Sequence, residues 1–140
     1  MRLLGKYCKN IRVFLLFIVF AVLFHLGYSF AWVNGNSMHP TYKNGEWVVV
    51  DEWTYKFFVP EKGDVILIND ASHGGLLLKR IISMPGEEVT TCSWDLPYRL
   101  DTQLKTKILK KNEYWVIGDN KEDSWSGVIK LRDIRGKLWF

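Results

Sequence analysis

From Val13 to Val33 the chain carries no charged residue, and Phe, Leu, Val, Ile and Ala fill most of the run. About 20 such residues in a helix cross the hydrocarbon core of a bilayer. The run therefore predicts one membrane-spanning helix, residues 13–33, with everything after it folding beside the lipid. Arg2, Lys6, Lys9 and Arg12 precede the run, and no cation follows Val33 until Lys43. The positive-inside rule then places a basic segment, residues 1–12, in the cytoplasm and residues 34–140 on the outer face of the plasma membrane. Tyr28 and Trp32 fall where amphipathic rings favour the outer interface. His25, inside the run, is read as a neutral side chain near the headgroups. The competing reading is a cleaved secretory signal, for which Ser29-Phe30-Ala31 offers a small-x-small site. The run exceeds the usual apolar region of about 7–15 residues, which favours a retained anchor.

The four N-terminal cations account for the whole formal net charge of +4. The remainder is neutral, so no basic field argues for nucleic acid as a partner. Seven Trp and eight Phe suit either a membrane interface or a dense aromatic core. Cys8 and Cys92 fall on opposite sides of the expected membrane and suggest no disulfide framework. Three scattered histidines, His25, His39 and His73, give no metal-ligand spacing, and no metal or cofactor is expected.

Residues 34–140 are long enough for one core. Trp47-Val48-Val49-Val50, Val65-Ile66-Leu67-Ile68, Leu76 to Ser83, Val89 to Cys92, Tyr114 to Ile117 and Gly136 to Phe140 read as short strands. Asn44-Gly45, Lys62-Gly63-Asp64, the polar stretch Asp70 to Gly75, Pro85-Gly86 and Gly118-Asp119-Asn120 read as turns. Lys130 to Ile134 reads as a short turn and residues 93–112 as a loop or weak hairpin. Tyr55 to Val59 reads equally as a membrane-contact or groove segment and as a core strand. The fold class predicted is all-β: a small folded sheet or barrel preceded by one N-terminal transmembrane helix.

Two stretches suggest chemistry. Gly35-Asn36-Ser37-Met38-His39-Pro40-Thr41 presents one hydroxyl, Ser37, between a glycine-flexed approach and a proline-fixed exit. A lone serine in such a place is usually a turn residue. In Leu76-Leu77-Leu78-Lys79-Arg80-Ile81-Ile82, two cations interrupt an apolar strand whose alternate residues face opposite sides. Both faces are apolar, so one cation is expected in a desolvated place. Burial lowers a lysine pKa and makes the neutral amine a general base that can activate a serine hydroxyl. Arginine stays protonated, so Arg80 is read as an ion-pair partner of Asp119 or Asp123. The alternative is that Lys79 lies on an edge strand with its amine in water.

Taken together, these stretches resemble the bacterial type I signal peptidases, the Ser-Lys family that removes signal peptides from exported proteins. Gly35 to Thr41 is similar to the family's nucleophile box, and Lys62-Gly63-Asp64-Val65-Ile66 to its K-G-D-V strand. Lys79-Arg80-Ile81-Ile82-Ser83-Met84-Pro85-Gly86-Glu87 resembles the general-base box. Tyr114 to Asn120 resembles the G-D-N box, and Ile134-Arg135-Gly136-Lys137 the final strand. The order and spacing agree along nearly the whole chain.

The resemblance implies Ser37 as nucleophile and Lys79 as general base, with Ser124 orienting the amine. It implies an oxyanion donor at the Ser37 N–H within the Gly35-Asn36 approach, and structural support from Arg80, Asp119 and Asn120. Substrate pockets are expected from Met38, Val48, Leu78, Ile81 and Ile82. The implied partners are preprotein signal peptides with Ala-x-Ala-like sites, the lipid bilayer and the secretion translocon. The family's second aspartate after G-D-N is Ser126 here, the arginine after it is missing, and the segment is about three residues short. Two alternatives stand beside a general signal peptidase: a peptidase dedicated to a pilin or conjugation substrate, and a catalytically impaired homologue acting as an assembly scaffold.

Overall fold

The computed structural model describes residues 2–70, 75–91 and 105–139. Cys92, His73 and most of the stretch expected to be a loop at 93–112 lie outside these residues. One long helix, α1 (Arg2–Gly27), leads into a domain with nine strands among the described residues. The strands are β1 (Tyr28–Trp32), β2 (Trp47–Asp51), β3 (Val65–Asp70), β4 (Gly75–Ser83), β5 (Glu88–Thr91), β6 (Lys105–Ile108), β7 (Glu113–Ile117), β8 (Gly127–Lys130) and β9 (Ile134–Leu138). A short helix α2 (Thr54–Phe57) and a 3-10 turn (Leu131–Asp133) complete the described elements. The fold is thus mainly antiparallel sheet behind one apolar helix, as the residue pattern predicts.

The apolar run 13–33 is not one helix. α1 ends at Gly27, and Tyr28–Trp32 is a strand paired with β2. The join is fixed by three contacts. Glu52 N donates to Gly27 O at 2.8 Å, Trp53 Nε1 donates to Leu26 O at 3.1 Å, and the Trp53 ring lies so close to Gly27 that a Cβ there would sit 2.9 Å from it. Over Asn10–Gly27, α1 is long and apolar enough to cross a membrane. Its apolar side chains there are largely exposed, so the domain itself does not bury them.

Seven strands form one sheet in the order β1-β2-β9-β3-β4-β7-β8, and β5 pairs with β6 in a separate hairpin. β3 is central, and its run of branched residues explains why: Val65, Ile66, Leu67 and Ile68 are all buried, so both faces are covered. Val65 and Leu67 join one cluster with Val33, Met38, Tyr42, Val48, Val50 and Leu138. Ile66 and Ile68 join the other with Ile81, Tyr114, Val116 and Ile129. β3 is therefore the wall between two small cores. The first core is capped by the turn around Met38, the second by β7 and β8.

The aromatic stretch Tyr55 to Val59 is neither a strand nor buried. Four of its neighbourhood's residues make α2, whose first turn is held by the buried Asp51. That carboxylate accepts from Thr54 N at 2.9 Å, Thr54 Oγ1 at 2.7 Å and Trp53 N at 2.8 Å. Phe57, Phe58 and Val59 are left exposed, while Pro60 is buried.

Candidate active site

The loop from Val33 to Glu46 joins β1 to β2 and carries Ser37. Gly35 takes φ +100, a left-handed conformation that glycine adopts without penalty. Its N–H donates to Asn44 Oδ1 at 3.0 Å, and His39 N donates to Asn36 O at 3.0 Å, closing a tight turn around Ser37. Met38 points the other way and is buried in the first core. The turn is thus pinned from beneath by an apolar side chain while Ser37 stays partly exposed above it.

A second anchor comes from the segment after β7. Asn120 N donates to Ser37 O at 3.0 Å. Thr41 Oγ1 donates to Asp119 Oδ2 at 2.5 Å. Asp119 also receives a two-pronged bond from Arg80, Nε to Oδ1 at 2.8 Å and NH2 to Oδ2 at 2.7 Å. Arg80 donates a further bond to Gly63 O at 2.9 Å. The guanidinium holds the Asp119 carboxyl below the usual carboxylate range. Of the two carboxylates expected for Arg80, Asp119 is the partner. One residue thus ties together the loop of Ser37, the strand of Lys79 and the turn after β7. Thr41 is part of this tie, a contact that the motif contained without its role being read.

Lys79 lies on β4 opposite Ile66 of β3 and is only 3% exposed. Its Nζ donates to Ser124 Oγ at 2.8 Å. Ser124 Oγ in turn donates to Trp125 O at 3.1 Å, which leaves its lone pairs for the lysine. Burial lowers the Lys79 pKa, and the negative charge of Asp123 opposes part of that shift. The expectation of a desolvated lysine is therefore met by geometry, and the edge-strand alternative is not. Gly118 explains why these groups are close. A Cβ on it would lie 2.0 Å from Ser124 Oγ and 2.3 Å from Ser37 O. Only a residue without a side chain lets Ser124 and the Ser37 loop converge on the end of β7. Among the described residues Ser37 Oγ and Ser37 N make no hydrogen bond, so a hydroxyl and an amide donor remain available at the turn.

A groove of about 270 Å³ opens beside Ser37. Its walls are Ser29 to Asn34 on one side and Leu76 to Leu78 on the other, with Leu67 and Met38 at the base. Among the described residues β1 is the terminal strand of the sheet and Gly75–Lys79 of β4 pair only with β3, so both walls present strand edges not paired by any of them. Successive antiparallel pairings make β1 and β4 run in the same direction. Of the residues expected to line substrate pockets, Met38 and Leu78 are in the groove. Val48 is buried in the first core, Ile81 in the second, and Ile82 is exposed outside the groove lining. Ser29, Asn34 and Arg135, none of them expected as groove residues, supply the groove's other polar side chains. Among the described residues no cluster of His, Cys, Asp and Glu could hold a metal ion.

The fold is an antiparallel sheet with a buried lysine beside a serine-bearing turn, behind a helix long and apolar enough to cross a membrane. A family model described as signal peptidase, peptidase S26, matches residues 5–97. Signal peptidase I U of Bacillus subtilis (strain 168) is 28% identical over 144 residues, covering 83% of this chain and 75% of that protein. Signal peptidase IB of Staphylococcus aureus (strain Mu50 / ATCC 700699) is 30% identical over 161 residues, covering 88% and 83%. The chain belongs to the signal peptidase S26 family, which is a family of peptidases.

Proposed function

We propose that this chain is a serine endopeptidase that cleaves N-terminal signal peptides from exported preproteins by a Ser37–Lys79 dyad. The observation that supports it best is Lys79: a lysine held almost dry, with one hydrogen bond, next to the turn that carries Ser37. Neutral Lys79 takes the Ser37 proton as Oγ attacks the scissile carbonyl. The Ser37 N–H stabilises the oxyanion, and the leaving amine departs with the proton. The acyl-enzyme is then hydrolysed by water that Lys79 deprotonates. The Ser124 hydroxyl keeps the amine oriented, its lone pair turned to the nucleophile. Catalytic hydrogen bonds often tighten only when substrate is bound, so the free Ser37 hydroxyl fits this scheme. Activity then rises with pH as Lys79 loses its proton, in a range lowered from that of ordinary lysine by its burial.

The preprotein would lie extended in the groove, adding a strand between β1 and β4 and parallel to both. Small residues before the cleavage site would rest on Met38, Leu67 and Leu78. The anchor would be α1, with the N-terminus cytoplasmic and the domain on the outer face of the plasma membrane. The exposed rings of Trp53, Phe57 and Phe58, next to the end of α1, would dip into the lipid. A preprotein delivered by a secretion translocon would reach the groove from that same side.

The test is cleavage of a model preprotein by membranes carrying the full chain. Ser37→Ala and Lys79→Ala should each lose at least about 10³-fold in rate. Lys79→Arg, which keeps the charge and loses the base, should be as dead. Cleavage surviving in any of them overturns the dyad. A panel of unrelated preproteins separates a general peptidase from one dedicated to a pilin or conjugation substrate.

A further inference from the structure

The groove beside Ser37 is apolar except at four positions, and Arg135 is the one charged side chain lining it among the described residues. Its location along the groove is fixed by a shared carboxylate. Ser29 Oγ donates to Glu52 Oε1 at 2.6 Å, and Arg135 Nε donates to the same oxygen at 2.9 Å. Ser29 is the second residue of β1, whereas Ser37 lies beyond that strand's far end. Arg135 therefore stands at the opposite end of the groove from the nucleophile. That end also adjoins α1: Gly27, its last residue, is two positions before Ser29 and accepts from Glu52 N.

The chemistry at this end differs from the rest. Glu52 lies behind the guanidinium, outside the groove lining, and the Ser29 hydroxyl and Arg135 hold its carboxyl below the usual range, so it stays ionised. Arg135 commits only Nε to it. Its two terminal nitrogens make no hydrogen bond among the described residues, and the side chain is 43% exposed. Four N–H donors are thus presented where the groove ends. An acceptor arriving there would meet donors already held in place by Glu52. An ammonium or guanidinium would meet the like charge of Arg135 and no carboxylate in the lining.

We propose that Arg135 is a specificity-determining residue that reads the substrate side chain about six positions before the scissile bond, at a strand rise of about 3.3 Å per residue along Ser29–Asn34, favouring carboxylate and amide side chains over Lys and Arg. This rests on the reading of the groove as the seat of an extended signal peptide. A substrate that leaves the lipid beside α1 and runs parallel to β1 passes Arg135 first and reaches Ser37 last. The recognised segment is then the polar stretch between the apolar part of a signal peptide and its cleavage site.

The experiment uses the full chain in detergent with a preprotein bearing Glu, Gln, Ala or Lys at each of positions four to eight before the cleavage site. The readout is the ratio of kcat/KM for Glu to that for Lys. The pair is half in solvent, so the expected ratio is modest: about fivefold, peaking near the sixth position. Arg135→Gln should flatten the ratio, Arg135→Glu should invert it, and Arg135→Lys, which keeps the charge, should preserve its direction. A wild-type ratio of one at every position, or the same ratio in wild type and Arg135→Glu, overturns the proposal while leaving the peptidase reading intact. If Arg135→Glu does not fold, the Arg135→Gln comparison decides alone. A wild-type chain that cleaves none of the set overturns the groove reading, and this inference with it.

Discussion

Lys79 carries a cost that its neighbours do not remove. The ammonium is only partly offset: burial is the first cause of the lowered pKa, the charge of Asp123 opposes part of it, and the one hydrogen bond among the described residues goes to a neutral hydroxyl. Below the ordinary lysine value the unfolded chain binds a proton that the folded chain holds less tightly. Stability therefore rises with pH between the lowered value and the ordinary one, and the penalty is full below the lowered value. Lys79→Met fills a similar volume and has no charge to desolvate. It should abolish cleavage and yet raise the melting temperature at neutral pH, with the gain shrinking as the pH approaches the ordinary lysine value. Melting curves of both proteins across pH check this; a Lys79→Met variant less stable than wild type at neutral pH would mean the lysine is held by favourable contacts instead. Arg80, one residue on, shows the opposite solution. It is always charged, and it has a carboxylate and a carbonyl to satisfy it. Alternation along the strand said only that one of the two cations is desolvated; the division of labour rested on arginine staying protonated. Neither could say which carboxylate serves Arg80, because Asp119 and Asp123 are equally plausible until the chain is folded.

At the scale of elements, the site is a meeting of three segments: the turn after β1, the strand β4 and the turn after β7. Gly118 is the point of closest approach. Its absent side chain leaves room for Ser124 Oγ and Ser37 O together. Gly118→Ala must push one of them away, and overpacking of this kind costs about 1–3 kcal/mol. The variant should fold with reduced stability and lose most activity. If it cleaves at the wild-type rate, the convergence at Gly118 does not matter to the chemistry. The strands themselves were largely legible, since β-branched runs bounded by Gly, Pro and Asn mark β2, β3, β4 and β7 to within a residue or two. Among the described residues β1, β8 and α2 were not, and β6 fell inside a stretch read only as a loop or weak hairpin. β1 was absorbed into the apolar run, because hydropathy cannot separate a helix from the strand that continues it. β8 is four residues with a glycine and a lysine, too short and mixed to show alternation. α2 is a single turn fixed by Asp51, three residues before its start, not by any periodicity of its own. The motif residues were visible, but their pairings were not. Lys137 reaches Asp64 at 2.6 Å, and Tyr55 OH donates to the same carboxylate at 2.8 Å, so two of the recognised boxes are one long-range contact. That carboxylate and burial raise the Tyr55 pKa, keeping its hydroxyl a donor and fastening α2 to the sheet.

On the scale of the whole molecule, the remaining question is how the domain sits against the lipid that α1 would cross. Trp53 packs on the last residue of α1, and its ring centroid is 6.4 Å from that of Phe57. Phe57 and Phe58 are 73% and 70% exposed, with Val59 beside them. Neither core uses these rings, although Tyr55 in the same segment packs against the second core. Asp51 and Asp64 each accept a hydrogen bond that holds α2 in place. An ordered turn that presents apolar rings to the outside suits a lipid interface, where they leave water without unfolding anything. Burying each Phe in the acyl boundary is worth about 1.5–3 kcal/mol. If the segment rests in lipid, Phe57→Ser with Phe58→Ser in residues 28–140 alone should weaken binding to zwitterionic vesicles by at least about tenfold. The same pair in the full chain should leave α1 in the membrane yet slow cleavage of a membrane-held preprotein more than that of a soluble peptide. A domain that sediments with vesicles equally well with and without the two rings would show that α1 alone sets the depth, and that the groove's approach to the membrane is governed by the short join at Gly27.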